Sequence, residues 1–502
     1  MSSTQTKSSV YFVSLGCPKN LVDSQVMLGM LEKDRYTITQ TPEDAEVVIV
    51  NTCSFIQASK EESIETILEM AELKQSAKCK VLVASGCLPQ RYHKDLENEM
   101  PEVDLFIGTG QYQRITELLN KHGEAKALGA PLPKRSYIDQ PAFIHTESDP
   151  RVHTGPAYSA YLKLSEGCNR RCAFCIIPTL RGNVRSRTVA SLITESKQLL
   201  SRGVRELNLV AQDLTEYGME WKYKERLETL LPELVKLDGV DWIRLHYVYP
   251  DQFSDELVQL IANEPKIVKY MDMPIQHTND RVLKSMNRKL TKAKLFDLVT
   301  KLREKIPGVV FRTSIIVGFP GETEEEFQEL CRDLETLNLD HVGVFRYSNE
   351  EGTKAATMDG QIHPGTKRKR AKILEKILQA QALAKKETYL GKTVQVLVEG
   401  ISEETDLLLQ GRMSTQAQEI DGNVLINDLE ALESIGYQVK AGDIIEVEIT
   451  EVMPHDLVGR AVKLISKNRM APAEDMGDDS LKPLIKEALL KKVHPIERPR
   501  MH

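Results

Sequence analysis

Three of the chain's eight cysteines fall in one short stretch, "EGCNRRCAFCIIPTLRG" at positions 166–182, spaced as Cys168-x-x-x-Cys172-x-x-Cys175. Thiolates this close together suit a soft metal or an iron-sulfur cluster. A closed structural zinc site takes four ligands, and no fourth cysteine or histidine lies near. A four-iron cluster on three cysteines leaves one iron without a protein ligand, and an open coordination position is where chemistry happens. Zinc and coincidental free thiols are the alternative readings of this stretch. A second set is more dispersed. Cys17, Cys53 and Cys87 each close a strand-like run, "VYFVSLGC", "AEVVIVNTC" and "KVLVASGC". Cys79 in "AKCKVLV" and Cys331 in "FQELCRDL" read as small buried hydrophobes.

The apolar pattern supplies elements to position these thiols. Over positions 10–130, short apolar runs alternate with helical periodicity, which predicts an N-terminal parallel α/β domain. Ligands of open α/β sheets gather at the carboxyl ends of the strands, so Cys17, Cys53 and Cys87 share one edge and can converge. The Pro-containing stretch at 131–157 reads as a linker. Over 158–389 come six strand candidates: "AYLKLSEGC", "RELNLVAQDL", "DWIRLHYVYP", "VKYMDMPIQH", "FRTSIIVGFPGE" and "HVGVFRYS". Helical patterns separate them, so a central partial (β/α)6 barrel is expected, with its chemistry at the strand carboxyl ends. The triple-cysteine stretch follows the first of these strands. A polar helix from Lys367 to about Tyr389 carries the basic run "KRKRAK", which reads as a solvated face. Short strands and turns over 390–466 predict a small five-stranded antiparallel β-barrel. Residues 1–9 read as a disordered N-terminus and 467–502 as a charged tail, much of it disordered.

With 502 residues the chain has room for roughly three domains of about 150 residues each, and its 41% hydrophobic content can bury a core. The N-terminus lacks an apolar signal segment, and no apolar run approaches the roughly 18 residues of a membrane helix. A cytoplasmic protein with no membrane association is therefore expected, and clustered cysteines there bind metal or do chemistry rather than form disulfides.

The spacing of Cys168, Cys172 and Cys175, with Phe174 just before the last cysteine, resembles the radical S-adenosylmethionine (SAM) signature. That resemblance implies a 4Fe-4S cluster whose open iron chelates SAM, and reductive cleavage of SAM to a 5′-deoxyadenosyl radical. It also implies the partial barrel fold. The wider set "SLGCPKNLVDSQ", "NTCSFIQASKEESIETI", "SGCLPQRY", "MPIQH", "RTSIIVGFPGET" and "FRYSNEEGT" is similar to methylthiotransferases. From this resemblance, Cys17, Cys53 and Cys87 match the ligands of a second, auxiliary 4Fe-4S cluster that takes part in sulfur transfer, and the C-terminal barrel matches the substrate-binding TRAM module. It covers nearly everything from Tyr11 to Ile465. Cofactor contacts are also expected at Phe174, at Gln212 and Asp213 in "LVAQDL", and at Arg312. As the only charge inside an apolar strand, Arg312 needs a partner. His277 in "MPIQH" orients substrate or is a satisfied core histidine, and "GFPGE" at 318–322 reads as a pocket-shaping turn.

Two branches of the family differ in substrate: one modifies an adenosine in transfer RNA, the other an aspartate in ribosomal small-subunit protein S-twelve. From Leu390 to Leu464 there are five basic residues, Lys392, Arg412, Lys440, Arg460 and Lys463, against fourteen acidic ones, a net charge of −9. Such a surface repels phosphates and suits a basic protein partner. "CPKNLVDS", "NTCSFI" and "LHYVYP" also look like the protein-modifying branch. The expected function is β-carbon methylthiolation of that aspartate by a monomer, served by a reducing electron donor and a sulfur donor, with no direct nucleic-acid readout. The alternatives are a tRNA adenosine methylthiotransferase and a non-catalytic iron-sulfur electron carrier.

Overall fold

Strands that read as unbroken apolar runs bury both faces, and helices cover them. The computed structural model describes residues 8–130, 134–222, 225–402 and 404–468, so most of both terminal stretches read as disordered, 1–7 and 469–502, lies outside the described residues. The first domain is a parallel sheet of β1 (Ser8–Ser14), β2 (Tyr36–Ile38), β3 (Val47–Thr52), β4 (Val81–Gly86), β5 (Leu105–Gly108) and β6 (Ser136–Tyr137), ordered β2-β1-β3-β4-β5-β6. Every residue of β3 is buried. Helices α1 (Pro18–Lys33) and α4 (Ile115–Ala127) pack on one face through Val26, Leu31 and Leu118, whereas α2 (Gln57–Ser76) and α3 (Cys87–Glu99) pack on the other through Ile67 and Leu96. The stretch at 131–157, expected to be only a linker, contributes β6, where Ser136 and Tyr137 pair with Phe106 and Ile107. Two residues are too few to show as a period in sequence.

The central sheet is also all parallel. It comprises β7 (Ser159–Lys163), β10 (Glu206–Val210), β11 (Trp242–Leu245), β12 (Ile267–Asp272), β13 (Val310–Val317) and β14 (His341–Arg346), ordered β14-β13-β12-β11-β10-β7. A two-residue ladder, β8 (Ser165–Glu166) with β9 (Arg185–Ser186), closes the loop that carries the three cysteines. Short α5 (Ile177–Arg181) follows those cysteines. The outer layer is α6 (Val189–Ser201), α7 (Leu227–Val235), α8 (Asp255–Asn263), α9 (Asp280–Ser285), α10 (Lys292–Lys305), α11 (Glu324–Leu337) and α12 (Pro364–Glu387). The start of α11 shows how sequence sets a boundary. Thr323 and Glu326 form a capping box, and Asn338, in the left-handed region at φ 45°, ends the helix.

The last five strands close into a barrel: β15 (Thr393–Ile401), β16 (Leu409–Met413), β17 (Val424–Asp428), β18 (Ile444–Val452) and β19 (Leu457–Ser466), with short α13 (Glu430–Glu433) between β17 and β18. Closure removes exposed strand edges. One pair departs from the expected antiparallel pattern, because β17 and β19 run parallel. This barrel docks on the amino-terminal ends of the central strands. Tyr158, Trp242, Val268 and Val310 there share an apolar cluster with Leu397, Ala417 and Ile444. Beside it, Glu206 is gripped by Arg412 and Arg244, and Arg205 donates to the Gly442 carbonyl at 2.7 Å. The cysteine loop lies at the opposite, carboxyl-terminal ends.

Candidate active site

The triple-cysteine loop leaves β8 through Gly167, at φ 85°, where an added Cβ would stand 2.2 Å from the Asn183 carbonyl oxygen. Only glycine fits that crossing. Bonds from remote elements then hold the loop. Cys168 N donates to Gly182 O at 3.1 Å, Ala173 N to Met286 O at 2.9 Å, and Ala355 N to Ala173 O at 2.8 Å. Phe174 packs into an apolar cluster with Phe319 and Tyr347, so the residue before the third cysteine docks on the "GFPGE" turn. Glu322 pins that turn by accepting from the Gly318 and Phe319 amides while Arg370 donates to it at 2.8 Å.

The other three cysteines stand at strand ends as expected. Cys17 precedes α1, Cys53 follows β3, and Cys87 opens α3 directly after β4. Gly16 brings the first two together. At φ 88°, a Cβ there would lie 2.7 Å from Cys53 Cβ and 3.0 Å from its Sγ. We therefore expect Gly16→Ala to cost more than about 1 kcal/mol, read from the urea midpoint. An unchanged midpoint would contradict this packing.

The thiols of each set press on one another. Burial pushes the Cys53 thiol up to about 12, and neighbouring Cys87 and Cys17 add to it. Burial likewise pushes Cys175 up to about 12, with Cys172 adding to it. Cys168 and Cys87 are also raised chiefly by burial. Cys17 is the exception: burial opposes its ionisation, but Lys19, Arg181 and the Asn20 and Lys19 amides together lower it. Such sets fit a cationic iron core, which would deprotonate its thiol ligands. Among the described residues no group of three or more His, Cys, Asp or Glu is placed to hold a metal ion.

A buried ionic network joins the two sets across the domain interface. Arg181 donates to Asp23 and Glu166, both at 2.9 Å, to Asn20 Oδ1 at 3.1 Å and to Cys87 Sγ at 3.7 Å. Lys163 pairs with Asp23 and with Glu166, the latter at 2.8 Å. A second clamp ties Glu350 to Lys60 at 2.9 Å and to Arg91 at 2.8 Å. None of these charged residues was singled out in the sequence, although Asp23 lies six residues after Cys17 and Glu166 two residues before Cys168.

The other expected contacts sort by what already holds them. Gln212 Nε2 donates to Glu166 at 2.7 Å, leaving its buried Oε1 without a partner. Asp213 is engaged by Arg170 at 2.8 Å and caps the turn at Thr215. Arg312 finds its counter-charge in Asp272, at 2.7 Å, on the neighbouring strand. His277 is fully buried, with Nδ1 accepting from the Asn279 amide at 3.0 Å, and Nε2 lies 3.8 Å from Glu322.

A parallel six-stranded sheet bearing three cysteines in the loop after its first strand is the radical SAM architecture, and residues 162–334 match the family described as the radical SAM superfamily. Residues 9–108 match the uncharacterized protein family UPF0004, and residues 390–462 a TRAM domain. In solved structures the fold recurs in the radical SAM methyltransferase TsrM from Kitasatospora setae, at a TM-score of 0.51 and 15% identity, over 68% of this chain and 72% of that one. Among curated relatives, the "Ribosomal protein uS12 methylthiotransferase RimO" of Geobacter sulfurreducens is 48% identical over 91% of this chain and its own full length. Its namesake from Pelobacter propionicus is 49% identical over 91% of this chain and 99% of its own. The chain belongs to the RimO family of radical SAM methylthiotransferases.

Proposed function

We propose that this protein replaces a β-carbon hydrogen of an aspartate in ribosomal protein uS12 by a methylthio group. In this reading Cys168, Cys172 and Cys175 hold a SAM-binding 4Fe-4S cluster, and Cys17, Cys53 and Cys87 hold a second one. The observation that carries it is Arg181, which contacts Cys87 of one set and Glu166, two residues before Cys168 of the other. When bound, cluster and SAM supply hydrogen abstraction at the triple-cysteine loop, and the second cluster supplies the place of sulfur transfer. The chain's own groups orient what binds. Gln212 Oε1, buried and unpartnered, suits an ammonium donor such as the SAM amino group. Arg288 Nη1 points at Cys172 Sγ from 3.9 Å. Asp213 and Arg312 shape the pocket through Arg170 and Asp272. An electron donor and a sulfur source complete the reaction.

The protein substrate is favoured over RNA by the acidic module, on which Glu404, Asp406, Glu430, Glu433 and Glu451 are all exposed. Among the described residues no helix is long and apolar enough to cross a membrane. The test offers uS12 and unmodified tRNA in parallel to the anaerobically reconstituted protein with SAM, reductant and sulfide. A methylthio mass gain on uS12 is expected. A gain on tRNA alone would overturn the assignment.

A further inference from the structure

Among the described residues only two lysines are buried, Lys19 and Lys163. Lys163 has two carboxylates, Asp23 and Glu166. Lys19 has none within ion-pairing distance among the described residues. Its ammonium instead lies 3.6 Å over the centre of the Tyr247 ring. Lysine is rarely buried without a carboxylate beside it, and the one anionic neighbour here among the described residues is the Cys17 thiol, whose ionisation Lys19 favours, so the position can take a carboxylate from outside.

Its surroundings say where that anion would sit. Lys19 stands in the first turn of α1, two residues after Cys17. Tyr247, beneath it, has φ 61°, a left-handed backbone that is costly for a bulky side chain. Two bonds hold that conformation: Tyr247 N donates to Asp272 Oδ2 at 3.2 Å, and Tyr247 O accepts from Leu214 N at 3.0 Å. Two residues on, Tyr249 carries the guanidinium groups of Arg170 and Arg288 at 3.9 and 4.1 Å. Arg288 reaches Cys172 Sγ. The turn at 247–249 thus runs from Lys19, beside Cys17, to Arg288, which reaches Cys172.

We infer that Lys19 receives the side-chain carboxylate of the aspartate to be modified, with the Tyr247 ring as the floor of that subsite. This rests on the protein-modifying reading above. The β-carbon is bonded directly to the carboxyl carbon, so holding the carboxylate fixes the carbon whose hydrogen is removed. A compact ammonium with rotatable donors suits one carboxylate in a narrow interface. Asparagine in the same place would leave the ammonium without an anion, which makes the contact a filter as well as a grip.

The test uses the reconstituted two-cluster protein without reductant, so that no turnover occurs. Two fluorescent peptides are titrated and followed by anisotropy: a uS12 peptide containing the target aspartate, and the same peptide with asparagine there. We expect the native protein to prefer the aspartate peptide by about 100-fold or more. Lys19→Met and Lys19→Gln should reduce that preference to within about threefold at full iron content, and Lys19→Arg should restore part of it. Retention of the preference in both neutral variants would overturn the inference. So would loss of iron from the Cys17 set in those variants, which would make Lys19 a counter-charge for the cluster instead. If the native protein binds neither peptide, the uS12 assignment falls first and this subsite with it.

Discussion

Cys172→Ala is expected to abolish SAM cleavage while leaving the second cluster in place. The loop does not depend on that sulfur for its shape. Its backbone is held by Cys175 N to Cys172 O at 3.1 Å and by the bonds of Ala173 to Met286 and Ala355. Removing the side chain therefore deletes a ligand without collapsing the loop. Iron should fall from about eight to about four per chain, because each four-iron cluster rests on its own three cysteines in this reading. Release of 5′-deoxyadenosine, followed by chromatography, should drop by at least about three orders of magnitude, as when an essential member of a catalytic unit is removed. The converse variant, Cys53→Ala, should keep cleavage and lose methylthiolation. Near-native 5′-deoxyadenosine release from Cys172→Ala would end the assignment of that loop.

Glu206→Gln should have the largest effect on stability. The carboxylate is fully buried, bonded to Arg412 through both oxygens, to Arg244 at 3.1 Å and to Ser159 Oγ at 2.8 Å. Among the described residues, neutralising it leaves Arg244 without a counter-ion and Arg412 with only Glu399. Breaking such a buried ionic group costs about 3–5 kcal/mol. The loss falls on the seat of the C-terminal barrel, so denaturant unfolding should show that module separating early. The pH dependence follows from the same contacts. Burial alone would raise this carboxyl, but Arg412 and Arg244 outweigh it and hold it well below the usual range. A depressed folded value means the contribution is complete above the unfolded glutamate value of about 4.3 and fades as pH falls below it. The variant should therefore lose most relative to the native protein near neutrality, and the gap should narrow in acid. A neutral-pH difference below about 1 kcal/mol would show that the seat does not rely on this carboxylate.

What could be read from sequence, and what could not, divides by range along the chain. Apolar runs and helical periods are local, so the strands that end near Cys17, Cys53 and Cys87, and the loop that follows the first central strand, were visible as patterns of neighbours. The ionic groups were not. Asp23 meets Lys163 and Arg181 from 140 and 158 positions away, and Glu206 meets Arg412 across 206. In "RELNLV" a glutamate reads as the polar start of a strand, with nothing to announce two arginines from other elements. Arg312 was expected to need a partner, yet its identity, Asp272, depended on which strands lie side by side. Lys19 sat in a quoted motif without being singled out, because burial against another domain leaves no local trace. The fourteen acids of the last module were countable, but their sharing was not: Asp443 is buried, and Glu399 is paired with Arg412.

The placement of that module turns the central sheet into a ruler. Glu206 marks its seat at one end of β10, and Gln212 lies just past the other end, beside Glu166. The five residues of β10 span about 17 Å at about 3.3 Å each. A free amino acid is too short to touch both ends, and so is a tripeptide in extended form. A partner that engages the acidic module while offering one side chain to the cysteine loops must carry those two features at a matching separation. Length itself becomes a criterion of selection, enforced by a strand that touches neither feature.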